Sequence, residues 1–368
     1  MKISHVTLHH LRMNLRTPFE TSFGRIHARD CILLEMAADG FTGYGECVAD
    51  RDPGYSYETA GTAWHILRDF LIPAILNQEI ESADDLQSYL RFVRGHPMAK
   101  AGLEMAFWDL IGKSRGQSLK DLVGGKTSQV EVGVSIGIHE DPAALLKTVE
   151  GYLEQGYQRI KIKIKPGHDV ADAQTIRQAF PNVRLQVDAN SAYRLEHAQN
   201  LKPLDELNLL MIEQPLAEDD LWDHSQFQKE LQTPICLDES ILSVRHARQA
   251  IEMGACKIIN IKAGRVGGLR QAIAIHNLCK DENIPVWCGG MLETGVGRAS
   301  NLALASLPGF CLPGDISASD RYYVEDITHQ QFTLNPDSTI DVPKEPGLGI
   351  TINTNSLARA TLARLTIP

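Results

Sequence analysis

The chain has 368 residues, 43% of them hydrophobic and 22% charged, with a formal net charge of −10. That balance is typical of a globular protein, and the acidity excludes nucleic acid or an anionic membrane as a main partner, because no basic run of five or more residues offsets it. Nothing reaches 18 consecutive apolar residues, so no membrane-spanning helix is expected.

In chain order, residues 2–13 alternate polar and apolar like a strand, and 31–37 and 43–48 follow as strands separated by Gly and Asp. Helical periodicity then covers 58–76, 84–93 and 99–115. Strands followed by helices predict a small α+β domain over residues 1–125, with Gly124-Gly-Lys-Thr-Ser128 as its exit. From Val130 the pattern alternates strictly. Strands are predicted at 130–138, 159–165, 183–188, 209–213, 234–238, 257–262, 284–288 and 310–315, with helices such as 142–155, 170–180, 244–253 and 269–283 between them. This predicts an α/β fold, a (β/α)7β modified TIM barrel over 126–322. Residues 323–368 should pack back on the N-terminal capping domain and complete it. The start lacks the apolar centre of a signal peptide. The seven cysteines are scattered, odd in number and without a CxxC pair, which reads as buried thiols and a cytoplasmic location.

One pattern carries chemistry. Lys163, Asp188, Glu213, Asp238 and Lys262 follow one another at gaps of 25, 25, 25 and 24 residues, each at the tail of a short apolar run. A strand, a helix and two loops need about that length, so each charge sits at the same end of a successive barrel strand. Two carboxylates about 4 Å apart repel by ~4 kcal/mol at an effective dielectric of about 20. Three converging acids therefore call for a cation or for shifted protonation, and oxygen-only ligands select Mg²⁺ or Mn²⁺ over Zn²⁺. A single acid at a strand end is as readily a helix cap; three in register are not. Lys163 and Lys262 stand four strands apart in a ring of eight and should face each other across the mouth. Lys161 shares the inward face of Lys163, because side chains alternate along a strand. A lysine in a dry site near a metal should lose affinity for its proton and become a base near neutral pH.

Lys161-Ile-Lys163, Asp188-Ala-Asn190, Glu213-Gln-Pro215, Asp238-Glu-Ser240 and Lys262 resemble the muconate-lactonising subgroup of the enolase superfamily. Gly264-Arg-Val-Gly-Gly268, Val286-Trp-Cys-Gly-Gly-Met-Leu-Glu-Thr-Gly295 and Pro18-Phe-Glu-Thr-Ser-Phe-Gly24 narrow the resemblance to the branch of o-succinylbenzoate synthases and N-succinylamino acid racemases. It implies Asp188, Glu213 and Asp238 as Mg²⁺ ligands and Lys163 and Lys262 as the acid/base pair acting beside a carboxylate. In the synthase reaction Lys163 would do the proton work while Lys262 stays a cation. In racemisation each lysine would serve one face. Lys161, Ser135, Asn190, Gly289, Gly290, Met291, Phe19, Phe23 and Arg265 are the expected substrate-binding residues, with loops 18–24 and 50–56 closing over the mouth. The expected partners are a small carboxylate substrate and further copies of the same chain. Ala263 and Lys165 depart from the pattern, which has proline and an acid there.

Other readings explain less. A Schiff-base aldolase barrel would use a lysine such as Lys262 but leaves the acids without a purpose. A non-catalytic barrel gives no reason for matched lysines. A mandelate-racemase type would carry a His base near strand seven, where this chain has Val286-Trp-Cys-Gly-Gly290, and dipeptide epimerases place Asp-x-Asp where it has Asp315-Ile-Ser317. Gly125-Lys-Thr127 lacks the first glycine of a phosphate-binding loop.

Overall fold

The computed structural model describes all residues, Met1–Pro368. Its first unit is an antiparallel sheet in which Ile3–Thr21 lies between Thr361–Ile367 and Gly24–Ala38, with Phe41–Cys47 outermost. The chain's last strand thus pairs with its first, Val6 opposite Ile367. Both opening strands run further than their alternation suggested. The register shifts between Asn14 and Phe19, and Phe19–Thr21 continues as a hairpin arm against Gly24–Ile26. The tip of that arm, Ser22-Phe23, overhangs the barrel mouth. Behind the sheet pack Ala60–Ile75, a continuous helical run with a π turn at Leu67–Leu71, then Ala83–Leu90 and Pro97–Arg115.

The second unit is the barrel. Val134–Ile136, Arg159–Lys163, Arg184–Asp188, Ile212–Glu213, Ile235–Leu237, Ile258–Ile261 and Val286–Cys288 form one parallel sheet in sequence order. Helices connect successive strands on the outside. Asp141, Asp220, Ser243 and Thr294 cap four of them by accepting from first-turn amides. The aliphatic residues on the outward face of the strands, Ile160, Ile162, Leu185, Val187, Ile212 and Ile259 among them, are buried against those helices.

Two strand expectations need correction. Region 130–138 is divided: Gln129–Glu131 pairs antiparallel with Thr339–Asp341, and only Val134–Ile136 enters the barrel. The eighth strand, expected at 310–315, is reduced to isolated bridges, Phe310 to Val286 and Gly314 to Val132. The seam between first and last strands is therefore thin in backbone bonds. The buried Arg159 guanidinium reinforces it, donating to the carbonyls of Val134, Pro313 and Gly314 from inside the ring. No helix is long and apolar enough to cross a membrane. Six of the seven free cysteines are buried, and Cys311 is exposed.

Candidate active site

The parallel register explains why the five charges meet. Lys163 lies opposite Asp188 and Asp188 opposite Glu213, so their side chains share the inward face at one height. Glu213 pairs with Cys236, and Asp238, two residues on, returns to the same face. Lys262 follows Ile258–Ile261 four strands from Lys163 in the ring.

The result is two lysine–acid pairs with a third lysine beneath them. Lys163 Nζ donates to Asp188 Oδ2 at 2.6 Å and to Asn190 Oδ1 at 2.8 Å. Lys262 Nζ donates to Asp238 Oδ2 at 2.8 Å. Lys161 is buried among Asp315 at 2.5 Å, Glu213 at 2.9 Å and Asp188 at 3.1 Å. Arg265 grips the other oxygen of Asp238 and donates to the carbonyls of Ile241 and Asn260. Asn190 also donates to Glu239 at 2.8 Å, and Asn260 donates to Glu213 at 2.7 Å.

Burial and charge oppose each other here. Burial would raise the Asp188 pKa, but Lys163 and Lys161 hold it well below the carboxylate range. For Glu213 burial and the Asp188 charge prevail and the pKa rises. The same two causes push Glu239 to about 7. For Lys262 burial works against the ammonium, yet Tyr55, Glu239, Glu213 and Asp188 together hold its pKa above the usual value. Lys161 behaves likewise, with Asp315 the largest opposing charge. The acids turned toward these two lysines hold them in the charged form.

The same pairing bears on a metal. The carboxylates of Asp188, Glu213 and Asp238 do not converge on a common point, and no group of three ligating side chains is formed. Each acid has turned to the nearest cation, as buried charges must. Their chemistry still suits a hard divalent ion: three fully buried carboxylates on neighbouring strands, with no His or Cys among them. The Glu213 pKa rises through burial and then through the neighbouring Asp188 charge, and an ion held by the two carboxylates would oppose both effects.

Above these pairs lies a cavity of about 350 Å³. Of the residues expected to bind substrate, Phe19, Phe23, Ser135, Lys161, Asn190, Gly290 and Met291 line it, as do Lys163 and Lys262. Gly289 and Arg265 do not. A Cβ on Gly289 would lie 2.7 Å from Lys262 Cε and 2.3 Å from Asn260 Oδ1, so this position leaves no room for a side chain beside the lysine stem. Arg265 is buried behind Asp238. The acids lie beneath the cavity wall.

The structure also brings in residues that sequence reasoning missed. Tyr55 reaches the mouth from the capping domain and donates to Asp238 Oδ1 at 3.0 Å. Asp315 joins Lys161 to Arg159. Alternation along Arg159-Ile-Lys-Ile-Lys163 places Arg159 on the same inward face, a signal that was present. Tyr55 had none beyond its place in loop 50–56.

The family pattern described as "Mandelate racemase / muconate lactonizing enzyme, N-terminal domain" matches residues 3–124, and "Enolase C-terminal domain-like" matches 144–356. The chain belongs to the enolase superfamily. Within it, the chain is 50% identical to an o-succinylbenzoate synthase of Geobacillus stearothermophilus, covering 98% of this chain and 96% of that one. It is 46% identical to an N-succinylamino acid racemase of Thermus thermophilus over 98% of each. A solved enolase-superfamily member from Listeria innocua superposes with a TM-score of 0.95 at 41% identity, covering 100% of this chain and 99% of that one. A dipeptide epimerase of Cytophaga hutchinsonii, solved with Mg and D-Ala-L-Val, shares the fold at 22% identity and a TM-score of 0.92, covering all of both chains.

Proposed function

We propose that this chain is an o-succinylbenzoate synthase that dehydrates 2-succinyl-6-hydroxy-2,4-cyclohexadiene-1-carboxylate in a syn reaction through an enediolate, serving menaquinone biosynthesis, and that it also racemises N-succinylamino acids. The observation that carries the reading is that Lys163 and Lys262 line one cavity from strands four apart, each backed by a carboxylate.

Asp188, Glu213 and Asp238 would hold Mg²⁺, or Mn²⁺ in its place. Bound there, the ion supplies positive charge for the oxygens of the enediolate. Asp188 pairs with Lys163 and Lys161, Asp238 with Lys262 and Arg265, and Asp315 with Lys161 and Arg159. A divalent ion added beside these paired charges would favour an anionic substrate. Lys163 lines the cavity with its amine held by Asp188 and Asn190, in place to exchange a proton with a bound substrate.

Lys163 then takes the proton from the carbon next to the carboxylate and delivers it to the departing hydroxyl. The C–H and C–O bonds break, the ring double bond forms, and water leaves. Lys262 remains an ammonium and faces the developing negative charge. Lys161, held charged by its three acids, orients a carboxylate. The Ser135 hydroxyl is buried without a partner and faces the cavity, so it is free to bind substrate.

A dedicated N-succinylamino acid racemase is the second reading, favoured by Lys262 standing as a second potential base on the same cavity. One experiment separates them: turnover of the cyclohexadiene carboxylate against racemisation of N-succinylphenylalanine, with Mg²⁺ present. A kcat/KM for dehydration at or above that for racemisation supports the synthase. Racemisation without dehydration replaces it by the racemase, and neither activity removes both.

A further inference from the structure

The two lysines are held by different parts of the molecule. Lys163 is fixed by Asp188 and Asn190, both on the barrel. Lys262 is fixed by Asp238 and by Tyr55 of the capping domain, whose hydroxyl accepts from Nζ at 3.2 Å and whose ring centroid lies 4.5 Å from it. The Tyr55 hydroxyl therefore bridges ammonium and carboxylate, donating to one and accepting from the other.

The segment that carries Tyr55 is seated by the other capping loop. A Cβ on Gly54 would lie 2.6 Å from the Phe23 ring, so the Phe23 hairpin tip lies directly against the backbone beside Tyr55. At the base of the segment Asp50 Oδ1 accepts from the amides of Asp30 and Arg51, and its carbonyl accepts from the Ala60 amide. The ring thus stands on a fixed backbone, with Phe23 packed over it. A free lysine stem samples many rotamers, and a bridging hydroxyl with a ring beside it confines that stem.

We propose that Tyr55 is a positioning residue for Lys262: through its hydroxyl and ring the capping domain holds the Lys262 ammonium directly, whereas no capping-domain side chain touches the Lys163 ammonium. The inference rests on the functional reading above, in which each lysine exchanges the α-proton of one enantiomer. Lys262 as the free amine removes that proton, exchanges it with solvent and returns a deuteron in D₂O, so no further reactant is involved.

The test follows α-proton loss from each enantiomer of N-succinylphenylalanine by NMR in D₂O with Mg²⁺. Lys163→Ala and Lys262→Ala identify which enantiomer belongs to which lysine. Tyr55→Phe keeps the ring and removes the bridge. It should slow exchange of the Lys262 enantiomer by about tenfold or more, as expected for a misplaced catalytic group, and leave the other within about twofold. Tyr55→Leu, which also removes the ring, should deepen the same one-sided loss. Equal slowing of both enantiomers, no slowing, or slowing confined to the Lys163 enantiomer overturns the assignment. A wild-type enzyme that exchanges neither enantiomer overturns the functional reading and this assignment with it, whereas the preceding outcomes leave that reading intact.

Discussion

Glu46 offers a test of how the capping domain grips the barrel. Its carboxylate leaves the strand Phe41–Cys47, crosses to the loop after the seventh barrel strand, and accepts from Thr294 Oγ1 at 2.6 Å and from the amides of Thr294 at 3.1 Å and Gly297 at 3.0 Å. It thereby caps the helix Gly295–Ala305, just after the cavity-lining Gly290–Leu292. Burial raises its pKa from 4.5 to about 7, against the opposing pull of Arg29. A buried acid with a raised pKa binds its proton more tightly folded than unfolded, so this group's contribution is most favourable below pH 4.5 and declines as pH rises through 7. The difference of 2.5 units, at about 1.4 kcal/mol each, is a penalty of roughly 3 kcal/mol above pH 7. Glu46→Gln keeps an acceptor for Thr294 and removes the titration. Urea unfolding at pH 5, 6, 7 and 8 should show the variant gaining on the wild type by about 1 kcal/mol per pH unit up to pH 7 and then levelling. A stability difference independent of pH would refute the reasoning.

Three further outcomes are expected. Asp238→Asn should weaken Mg²⁺ binding about tenfold or more in calorimetry, since one of three charged oxygen ligands is lost; an unchanged titration removes Asp238 from the ligand set. Gly289→Ala should drive a methyl against Lys262 and Asn260, lowering kcat with an overpacking cost of about 1–3 kcal/mol read from denaturant unfolding; normal turnover would show that Lys262 need not lie where it does. Arg159→Met should destabilise the fold by about 3–5 kcal/mol, because Asp315 loses a buried partner and the barrel seam loses three carbonyl contacts; a wild-type melting curve would contradict that.

The barrel was readable because each inward charge terminates an apolar run, so the chemistry and the strand ends mark each other. The closing segment was not, since 310–315 meets its neighbours through single bridges and a buried arginine rather than a ladder, and neither leaves a periodic trace. Within the site, the lysines and acids could be placed from spacing alone, whereas the close approach of Gly289 to the Lys262 stem and Asn260 leaves no trace in the spacing. Tyr55 was invisible for another reason. Loop 50–56 has no period, and only the packing of one domain on the other brings its ring to Lys262. Which lysine pairs with which acid was not legible either, because spacing sets the charges at one height without saying which of them meet.

The central claim is that Lys163 performs the proton transfer of the dehydration, and its most direct test is Lys163→Ala assayed with the cyclohexadiene carboxylate and Mg²⁺. Loss of turnover by a factor of at least about 10², with unfolding behaviour and Mg²⁺ binding retained, is the expected result. Turnover within a few-fold of the wild type would contradict it.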